Sequence, residues 1–296
     1  MANEPDPLPR ASDPMDAALP REMAKRAERS GAAKAEQNAL SLLALAALAG
    51  AFIAFGATFA AAVTAGVPGG EMSGTTKLAG GLAFSLAYVL AIVGGAELFT
   101  TNVLMVMAWA HGRLPSRYLL RAWAIVFVGN FAGATATGGL LILAGQHAEL
   151  GGGVGSRLLA SAQRIHELGT AEAALLGILG NTLLCLGVWL TYSARTTTDR
   201  ILALLSPVAA FYVLGLEHAI AVMFYLPCAG FIEWLAADAF WQSTDVAAVG
   251  IELGNTLRIL AAVTVGNVLG GGGLVALMYW FIYLRPERQH NQSDAG

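Results

Sequence analysis

Three ionisable side chains, Glu97, Glu217 and His218, lie inside long apolar stretches of the sequence. A charged side chain at the centre of a bilayer costs about 2.5–3.5 kcal/mol on insertion scales, so such residues normally face a cavity or a partner group. The unperturbed pKa of histidine, about 6.5, allows His218 to gain or lose a proton near neutral pH. We interpret His218 as a pathway residue, with a satisfied core histidine as the alternative, and group it with both glutamates as a candidate proton relay.

Both glutamates lie beside residues that favour a break in a helix. Glu97 belongs to GAELFTTN (residues 95–102), and Glu217 belongs to GLEHAIAV (residues 215–222). Backbone freed by unwinding is tolerated at membrane depth only where it is buried in protein or lines a water-filled cavity. We expect the glutamates to brace these breaks by accepting hydrogen bonds from exposed N–H groups. A polar clamp between helices and direct proton transfer are the alternatives.

Two threonines, Thr100 and Thr101, follow the apolar pair Leu98 and Phe99. Hydroxyl groups at a helix break can bind a solute, and the apolar pair can form a constriction beside them. The alternative for a threonine here is to cap the half-helix that follows, and the two roles are compatible. Two half-helix N-termini directed at one point in the membrane would make a weakly positive site, attractive to an anion.

Membrane-spanning helices are needed to position these residues. Apolar residues make up 56% of the chain and charged residues 12%, about half the usual charged share. A helix of about 20 residues crosses the ~30 Å hydrocarbon core, and apolar blocks of that length recur. We predict an all-α protein with six spans, the second and fifth too long and too interrupted to be plain helices. The predicted spans are residues 39–66, 78–110, 119–145, 171–194, 200–234 and 255–284.

The spans divide the chain into three parts. Residues 1–37 are polar and proline-rich, without the apolar core of a signal peptide. Within them, residues 15–37 have the spacing of a weakly amphipathic helix at the membrane surface, with a disordered tail as the alternative. We therefore expect an N-terminal tail, a six-helix transmembrane channel domain over residues 38–285, and a C-terminal tail over residues 286–296.

Basic residues predict the orientation of the six spans. With both termini on the cytoplasmic side, the internal segments hold thirteen of the 17 Lys and Arg residues and the external segments hold four. Positive charge on short loops sets the orientation of membrane helices. This asymmetry supports six spans with both termini in the cytoplasm.

Composition and cysteine usage narrow the classes of function. The net charge of −3 gives no basic surface for nucleic acid. Cys185 and Cys228 both fall in apolar blocks, where they favour packing over a disulfide or a metal site. No metalloprotease or nucleophile-elbow motif occurs, so we expect neither an enzyme nor a cofactor or metal.

The two halves of the chain repeat a pattern. GNFAG (residues 129–133) and GNVLG (residues 266–270) each place two glycines four residues apart with an asparagine after the first. Such faces let helices approach closely in lipid. Each follows one of the acidic elements described above, and internal repeats are common in transporters. The predicted packing residues are Gly129, Asn130, Gly133, Gly266, Asn267 and Gly270.

Taken together, the motifs resemble the formate/nitrite transporter family of pentameric membrane channels. The resemblance covers residues 31–285, most of the chain. It rests on six motifs in order: GAFIAFGA (50–57), GGAELFTTN (94–102), Gly129–Asn130, GILGNTLLCLGVWL (177–190), GLEHAIAVMFYLP (215–227) and GNVLGGGGLVALMYWFIYLR (266–285).

The resemblance implies a homopentamer of aquaporin-like protomers, each with its own pore. The second helix would be broken at Leu98–Thr100 and the fifth just before His218. It also implies an N-terminal segment that could act as a pH-sensitive plug. The implied constriction residues are Phe84, Tyr88, Leu98, Phe99 and Phe211. The implied residues of the anion approach are Arg164 and Asn181.

Three positions depart from the family pattern. Tyr88 stands where the family has a smaller aliphatic residue, so its polar tip could narrow or rewire a gate. Ile165 falls where the family has an external lysine, with Arg164 one residue earlier as a different cation. Val222, on the face of His218 at i+4, replaces an asparagine and removes a hydrogen-bond partner.

We therefore expect a channel or proton-coupled transporter in the bacterial inner membrane. Its substrates would be small monovalent anions, or their conjugate acids, of the formate, nitrite, acetate and lactate class. In an apolar pathway the neutral acid is favoured, because desolvation raises the pKa of an acid. The alternatives are a neutral-solute, aquaporin-like pore, whose paired Asn-Pro-Ala motifs are absent here, and a poorly conducting regulatory homologue.

Overall fold

The structure is a computed structural model that describes residues 17–66, 72–244 and 246–286. Every regular element in these ranges is a helix, which confirms the predicted all-α class. The ends of the two predicted tails, residues 1–16 and 287–296, lie outside the described residues.

The helices of the first half include one long element that is interrupted. Their bounds are α1 Pro20–Glu36, α2 Ala39–Thr64, α3 Gly74–Gly94, α4 Phe99–Asn102, a 3-10 turn Val103–Met105, α5 Val106–Ala110 and α6 Ser116–Leu143. Helix α1 occupies most of the segment predicted to be amphipathic. It buries Met23, Ala24 and Ala27 and contacts α5 and α6.

The second half repeats this order. Its bounds are a 3-10 turn Gln146–Ala148, α7 Gly153–His166, α8 Thr170–Thr191, α9 Thr197–Val213, α10 Ala219–Leu235, α11 Asp238–Ser243 and α12 Leu253–Asn267. The last helix continues to Leu284 through wider, π-helical turns at Val268–Leu277 and Trp280–Leu284. Helix α1 precedes α2 as α7 precedes α8, and α12 packs on α8 as α6 packs on α2.

Five helical elements of the described residues are long and apolar enough to cross a membrane: α2, α3, α6, α8 and the continuous stretch Leu253–Leu284. The protein is therefore an integral membrane protein. The predicted second span consists of α3 followed by the shorter apolar segment Phe99–Ala110. The predicted fifth span consists of α9 and α10, each 17 residues long. Both predicted breaks are thus present, while the count of six crossings stays a prediction. The first break lies at Gly95–Leu98, before the expected Leu98–Thr100, because Phe99 and Thr100 already belong to α4.

Two helices, α1 and α7, lie at opposite ends of α2. Helix α1 leads directly into the start of α2. The start of α7 instead meets the residues that follow α2, because a Cβ on Gly153 would lie 3.2 Å from the Cβ of Ala65. At 1.5 Å per residue, the 26 residues of α2 span ~39 Å. The sides of the molecule are named the α1 side and the α7 side below.

Small residues allow the closest helix contacts in both repeats. A Cβ on Gly133 would overlap the carbonyl oxygen of Ala47 on α2. In the second repeat, a Cβ on Gly270 would overlap the carbonyl oxygen of Ile178 on α8 and lie 3.0 Å from Oγ1 of Thr182. Helix backbones pack this tightly in lipid only where both sides lack bulk.

We expect Gly270→Ala to destabilise the folded protein by about 1–3 kcal/mol, the usual cost of overpacking, because the methyl group would push α8 away. Gly273→Ala is the matched control, since a Cβ on Gly273 meets nothing within 4 Å. Thermal unfolding in detergent, followed by tryptophan fluorescence, compares the two. Equal melting temperatures for both variants would contradict the close packing described here.

Candidate conduction pathway

The first break separates α3 from α4. Helix α3 ends at Gly94 and is followed by Gly95, whose φ of +82° is a left-handed conformation that favours glycine. The chain then runs without helical structure to Leu98, the residue before α4. The N–H of Glu97 donates to the carbonyl oxygen of Leu45 on α2, at 3.2 Å. Backbone at this depth is therefore bonded to a neighbouring helix.

Asn130 on α6 forms hydrogen bonds with backbone groups that the first break exposes. Its Oδ1 accepts a hydrogen bond from the N–H of Phe99 at 2.7 Å, and its Nδ2 donates to the carbonyl oxygens of Glu97 and Ala46, each at 2.8 Å. One buried amide thus replaces three hydrogen bonds that a continuous helix and water would otherwise supply.

The second break repeats this arrangement. Gly215, with φ of +64°, follows α9, and the N–H of Glu217 approaches the carbonyl oxygen of Leu176 at 3.4 Å. Asn267 accepts from the N–H of Ala219 at 2.8 Å. Its Nδ2 donates to the carbonyl oxygens of Gly177, at 2.9 Å, and Glu217, at 3.3 Å. The predicted repeat therefore extends to individual hydrogen bonds.

The glutamate side chains do not brace the breaks in the expected way. The N–H groups that begin α4 and α10 are accepted by asparagine amides, and each glutamate carboxylate instead pairs with a cation. An amide both accepts and donates, so it can satisfy N–H and C=O groups together, whereas an ionised carboxylate only accepts. The side-chain contacts correspond more closely to the polar clamp that was the alternative.

The cation of the first break is Lys34, on α1. Its Nζ lies 2.8 Å from Oε2 of Glu97 and 2.7 Å from Oδ1 of Asn102. The carboxylate of Glu97 is buried, and Lys34 is 23% exposed. In the sequence, Lys34 is one of the basic residues of the predicted N-terminal tail, and nothing there links it to the break. Its place in α1, which precedes α2 as α7 precedes α8, is the signal that could have identified it.

The cation of the second break is Arg164, on α7. Its Nη2 lies 2.5 Å from Oε1 of the buried Glu217, and its Nη1 donates to the carbonyl oxygen of Gly215 at 3.3 Å. Ile165, which gap-free counting aligned with the family lysine, is buried in the core instead. Arg164 therefore occupies the position at which a cation faces the second break.

His218 is the last residue of the second break, directly before α10, and is fully buried. It caps α10, because its Nδ1 accepts a hydrogen bond from the N–H of Ala221 at 3.3 Å. With Nδ1 as an acceptor, the proton of the neutral imidazole resides on Nε2. That Nε2 is buried and has no hydrogen-bond partner among the described residues. The histidine thus presents a free donor to its surroundings.

Three aromatic rings surround this imidazole. The ring centroids of Phe211, Phe84 and Tyr88 lie 5.4, 6.1 and 6.2 Å from that of His218. Phe84 and Phe211 also stack on each other at 6.2 Å. Leu98, at the start of the first half-helix, is fully buried as well. These four predicted constriction residues and His218 are called the plug below.

Phe99 and Asn181 do not lie where their predicted roles, in a constriction and in the anion approach, would place them. The ring of Phe99 packs edge-on against Trp123 and Phe127 of α6, at 5.9 and 5.2 Å, and these contacts direct it towards α6. Asn181 is fully buried and donates to the carbonyl oxygens of Thr100, at 2.9 Å, and Asn267, at 2.8 Å. It therefore supports the centre of the molecule and does not line the outer approach to it.

The two threonines have separate roles. The hydroxyl of Thr101 donates back to the carbonyl oxygen of Leu98 at 3.0 Å, within the first turn of the half-helix. The hydroxyl of Thr100 is buried and makes no hydrogen bond with the described residues. Val222 is buried one turn after His218 and offers that histidine no polar group.

A cavity opens on each side of the plug. The α1-side cavity, of about 260 Å³, is lined by Lys34, Glu97 and Arg200 among others. The α7-side cavity, of about 140 Å³, is lined by Arg164 and Glu217 and is closed by Phe84 and Phe211. We call them the Lys34 vestibule and the Arg164 vestibule. Each combines a cation, a buried carboxylate and the unwound backbone of one break.

Comparison with known proteins agrees with this arrangement. A family model described as the formate/nitrite transporter matches residues 21–281. The chain belongs to the formate/nitrite transporter family. Among curated relatives of this transporter, the formate channel FocA of Escherichia coli (strain K12) is 39% identical over 286 residues, 95% of this chain and 100% of that protein. The formate channel FocB of the same strain is 35% identical over 88% of this chain and 93% of its own length.

Solved structures of transporters in this family show the same fold. A structure described as a pentameric formate channel with formate bound has a TM-score of 0.77 and 38% identity, and the match covers 83% of this chain and 98% of the other. A second, described as an FNT family ion channel, has a TM-score of 0.75 at 22% identity, covering 88% and 98%. The resemblance predicted from the sequence motifs is therefore confirmed.

Proposed function

We propose that this transporter is a channel or proton-coupled carrier for small monovalent anions of the formate and nitrite class, or their conjugate acids. Acetate and lactate belong to the wider class to be tested. The observation that carries the proposal is the pair of cation-containing vestibules separated by an apolar plug with one free imidazole donor. The FocA and FocB relatives and the pentameric structure, described as formate channels, support formate as substrate and a homopentameric assembly.

The assembly lies in the bacterial inner membrane, with both termini in the cytoplasm. The charge asymmetry of the loops supports this orientation. The Lys34 vestibule then opens to the cytoplasm and the Arg164 vestibule to the external side. Formate/nitrite transporter relatives in E. coli are consistent with a bacterial source.

The first step is attraction of the anion by the vestibule cations. An ammonium group has three donors, and Lys34 uses two of them for Glu97 and Asn102. Arg164 is about half exposed and carries further N–H donors beyond those used for Glu217 and Gly215. Each vestibule therefore keeps unused donors for a carboxylate or nitrite, while the paired glutamate prevents the cation from holding the anion tightly.

The second step is passage of the plug as the neutral acid. Phe84, Phe211 and Leu98 make the plug apolar, and an apolar site raises the pKa of an acid within it. The Nε2–H of His218 donates a hydrogen bond to the solute. Since His218 gains a second proton only by giving up its bond from Ala221, we assign it the role of a neutral donor. The transferred proton then enters from the vestibule water with the solute.

Two alternatives give different results in the same assay. An aquaporin-like pore would shrink and swell liposomes osmotically without moving anions. A regulatory homologue would bind the anion in the vestibules and conduct almost nothing. The free Nε2 donor and the paired cations favour the anion pathway over both.

Replacing His218 with phenylalanine tests the proposal directly. A lost hydrogen bond is worth about 0.5–1.5 kcal/mol with a neutral solute and about 1.5–3 kcal/mol with a charged one, so we expect formate uptake into proteoliposomes to fall about 2–100-fold. Uptake of labelled formate, nitrite, acetate and lactate is measured at two pH values, with pentamer integrity checked by size-exclusion chromatography. His147→Phe, in the turn before α7, makes the same change outside the plug and serves as the control. Unchanged rates and pH response in His218→Phe would refute this assignment.

A further inference from the structure

Four buried polar atoms around the plug have no hydrogen-bond partner among the described residues. One is Oδ1 of Asn181, whose Nδ2 donates to the carbonyl oxygen of Thr100. The other three are the hydroxyl of Tyr88, Oγ1 of Thr100 and Nε2 of His218. All three side chains are fully buried. Buried polar groups in proteins are nearly always hydrogen-bonded, so each exception needs an explanation. Three exceptions on residues that contact one another indicate a site for a polar solute.

The three groups come from different elements and converge on one place. The ring of Tyr88, on α3, meets the imidazole of His218, at the start of α10, nearly edge-on, at 85° and 6.2 Å. The phenol of Tyr88 also approaches the side chain of Thr100, in α4, without completing a hydrogen bond. Helices α4 and α10 themselves contact each other. Tyr88 therefore bridges the two half-helix starts at the centre of the fold.

The chemistry of the three groups matches a small acid or its anion. The Nδ1 of His218 is occupied by the N–H of Ala221, so Nε2 is a donor. The Tyr88 and Thr100 hydroxyls can each donate or accept. Three such groups can bind both oxygens of one carboxylic acid, nitrous acid or the corresponding anion. Val222, on the same face of α10, is apolar and adds no fourth group.

The ring of Tyr88 also limits the size of the solute. Tyr88 and Phe84 lie 6.5 Å apart between centroids and both are fully buried, so the two rings fill the space beside His218. The ring thus belongs to the plug and lines neither vestibule. Acetate and lactate, which carry carbon beyond the carboxylate, must displace the ring of Tyr88 to pass. Formate and nitrite carry no such carbon and need not displace it.

We infer that Tyr88 is a specificity-determining residue, whose hydroxyl completes a three-group binding site with Thr100 and His218 and whose ring favours formate and nitrite over acetate and lactate. This inference rests on the proposed function. It assigns Tyr88 two separable effects, hydrogen bonding through the hydroxyl and exclusion through the ring. Two substitutions separate them: Tyr88→Phe removes the hydroxyl and keeps the ring, and Tyr88→Leu removes both.

The experiment measures uptake of labelled formate, nitrite, acetate and lactate by proteoliposomes. Tyr88→Phe is expected to slow formate and nitrite uptake about tenfold, equivalent to ~1.4 kcal/mol, with little change in the acetate-to-formate ratio. Tyr88→Leu is expected to raise the acetate-to-formate and lactate-to-formate ratios by at least about tenfold, the discrimination that one extra carbon supports. Tyr279→Phe, whose ring stacks on Trp189 away from the plug, is the matched control.

Each outcome has a distinct meaning. Wild-type formate rates in Tyr88→Phe, with the pentamer intact, would overturn the role of the hydroxyl. An unchanged acetate-to-formate ratio in Tyr88→Leu would overturn the role of the ring. Both results require that the wild-type protein moves formate. Absence of anion uptake by the wild type would instead reject the proposed function itself.

Discussion

Replacing Asn267 with alanine is expected to destabilise the protein by about 2–6 kcal/mol, a large fraction of the total stability of a folded domain. The substitution leaves two buried backbone groups of the break without partners: the N–H of Ala219 and the carbonyl oxygen of Glu217. It also removes a second hydrogen bond from the carbonyl oxygen of Gly177, which lies inside α8. Each unsatisfied buried group costs about 1–3 kcal/mol. Water cannot replace the amide, because Asn267 is fully buried at membrane depth.

Thermal unfolding and the yield of intact pentamer measure this effect. Thr264→Ala is a matched control on the same helix, since its hydroxyl bonds only within α12, to the carbonyl oxygen of Leu260. Asn267→Asp gives an intermediate test, because aspartate can still accept from Ala219 but cannot donate to the two carbonyls. A melting temperature of Asn267→Ala equal to that of Thr264→Ala would contradict the bracing role.

A similar loss of stability is expected for Asn130→Ala, because the first repeat has an equivalent set of hydrogen bonds. There the orphaned groups are the N–H of Phe99 and the carbonyl oxygen of Glu97, and the carbonyl oxygen of Ala46, inside α2, loses a second hydrogen bond. Each asparagine joins three segments: the broken helix, the neighbouring helix whose carbonyl group it also binds (α2 for Asn130, α8 for Asn267), and the helix that carries the asparagine. The integrity of the pathway is therefore expected to depend on these two buried amides, Asn130 and Asn267.

Sequence alone predicted where the chain breaks but not what holds the breaks together. Glycine beside a buried glutamate indicates unwinding, because only glycine adopts the left-handed conformation seen at Gly95 and Gly215 at little cost. The bracing groups are far away in sequence: Asn130 lies 31 residues from Phe99. The predicted small-residue faces located both asparagines, and the contact between helices decided their role.

The ion pairs were only partly predictable for a similar reason. Arg164 was identified through its resemblance to a family position, whereas Lys34 was not assigned to the site. Both cations lie on helices outside the apolar spans, α1 and α7, so hydropathy says nothing about where those helices dock. Phe99 was expected in the constriction and packs against α6 instead, because the periodicity of a helix starts anew after a break. Periodicity across Gly95–Leu98 therefore does not predict which way the next side chain points.

The second large effect is expected from Lys34→Met. Removing one member of a buried ion pair costs about 3–5 kcal/mol, because the remaining charge stays buried without compensation. Lys34 is 23% exposed and Glu97 is almost wholly buried, so we expect a loss of about 3 kcal/mol, the lower end of that range. Asn102 loses its partner as well. Formate flux is also expected to fall about tenfold or more, because the Lys34 vestibule loses its ammonium donors.

A double substitution separates the structural role of Lys34 from its role in attracting the anion. Lys34→Met combined with Glu97→Gln removes the uncompensated charge, so the melting temperature is expected to recover most of the loss while formate flux stays low. Arg29→Met, at an exposed position on the same helix, removes a positive charge without touching the break and is the control. Stability is followed by thermal unfolding and flux by uptake of labelled formate into proteoliposomes. Recovery of wild-type flux in the double variant would show that Lys34 serves only to neutralise Glu97, since a vestibule without that ammonium group would then conduct as well as one with it.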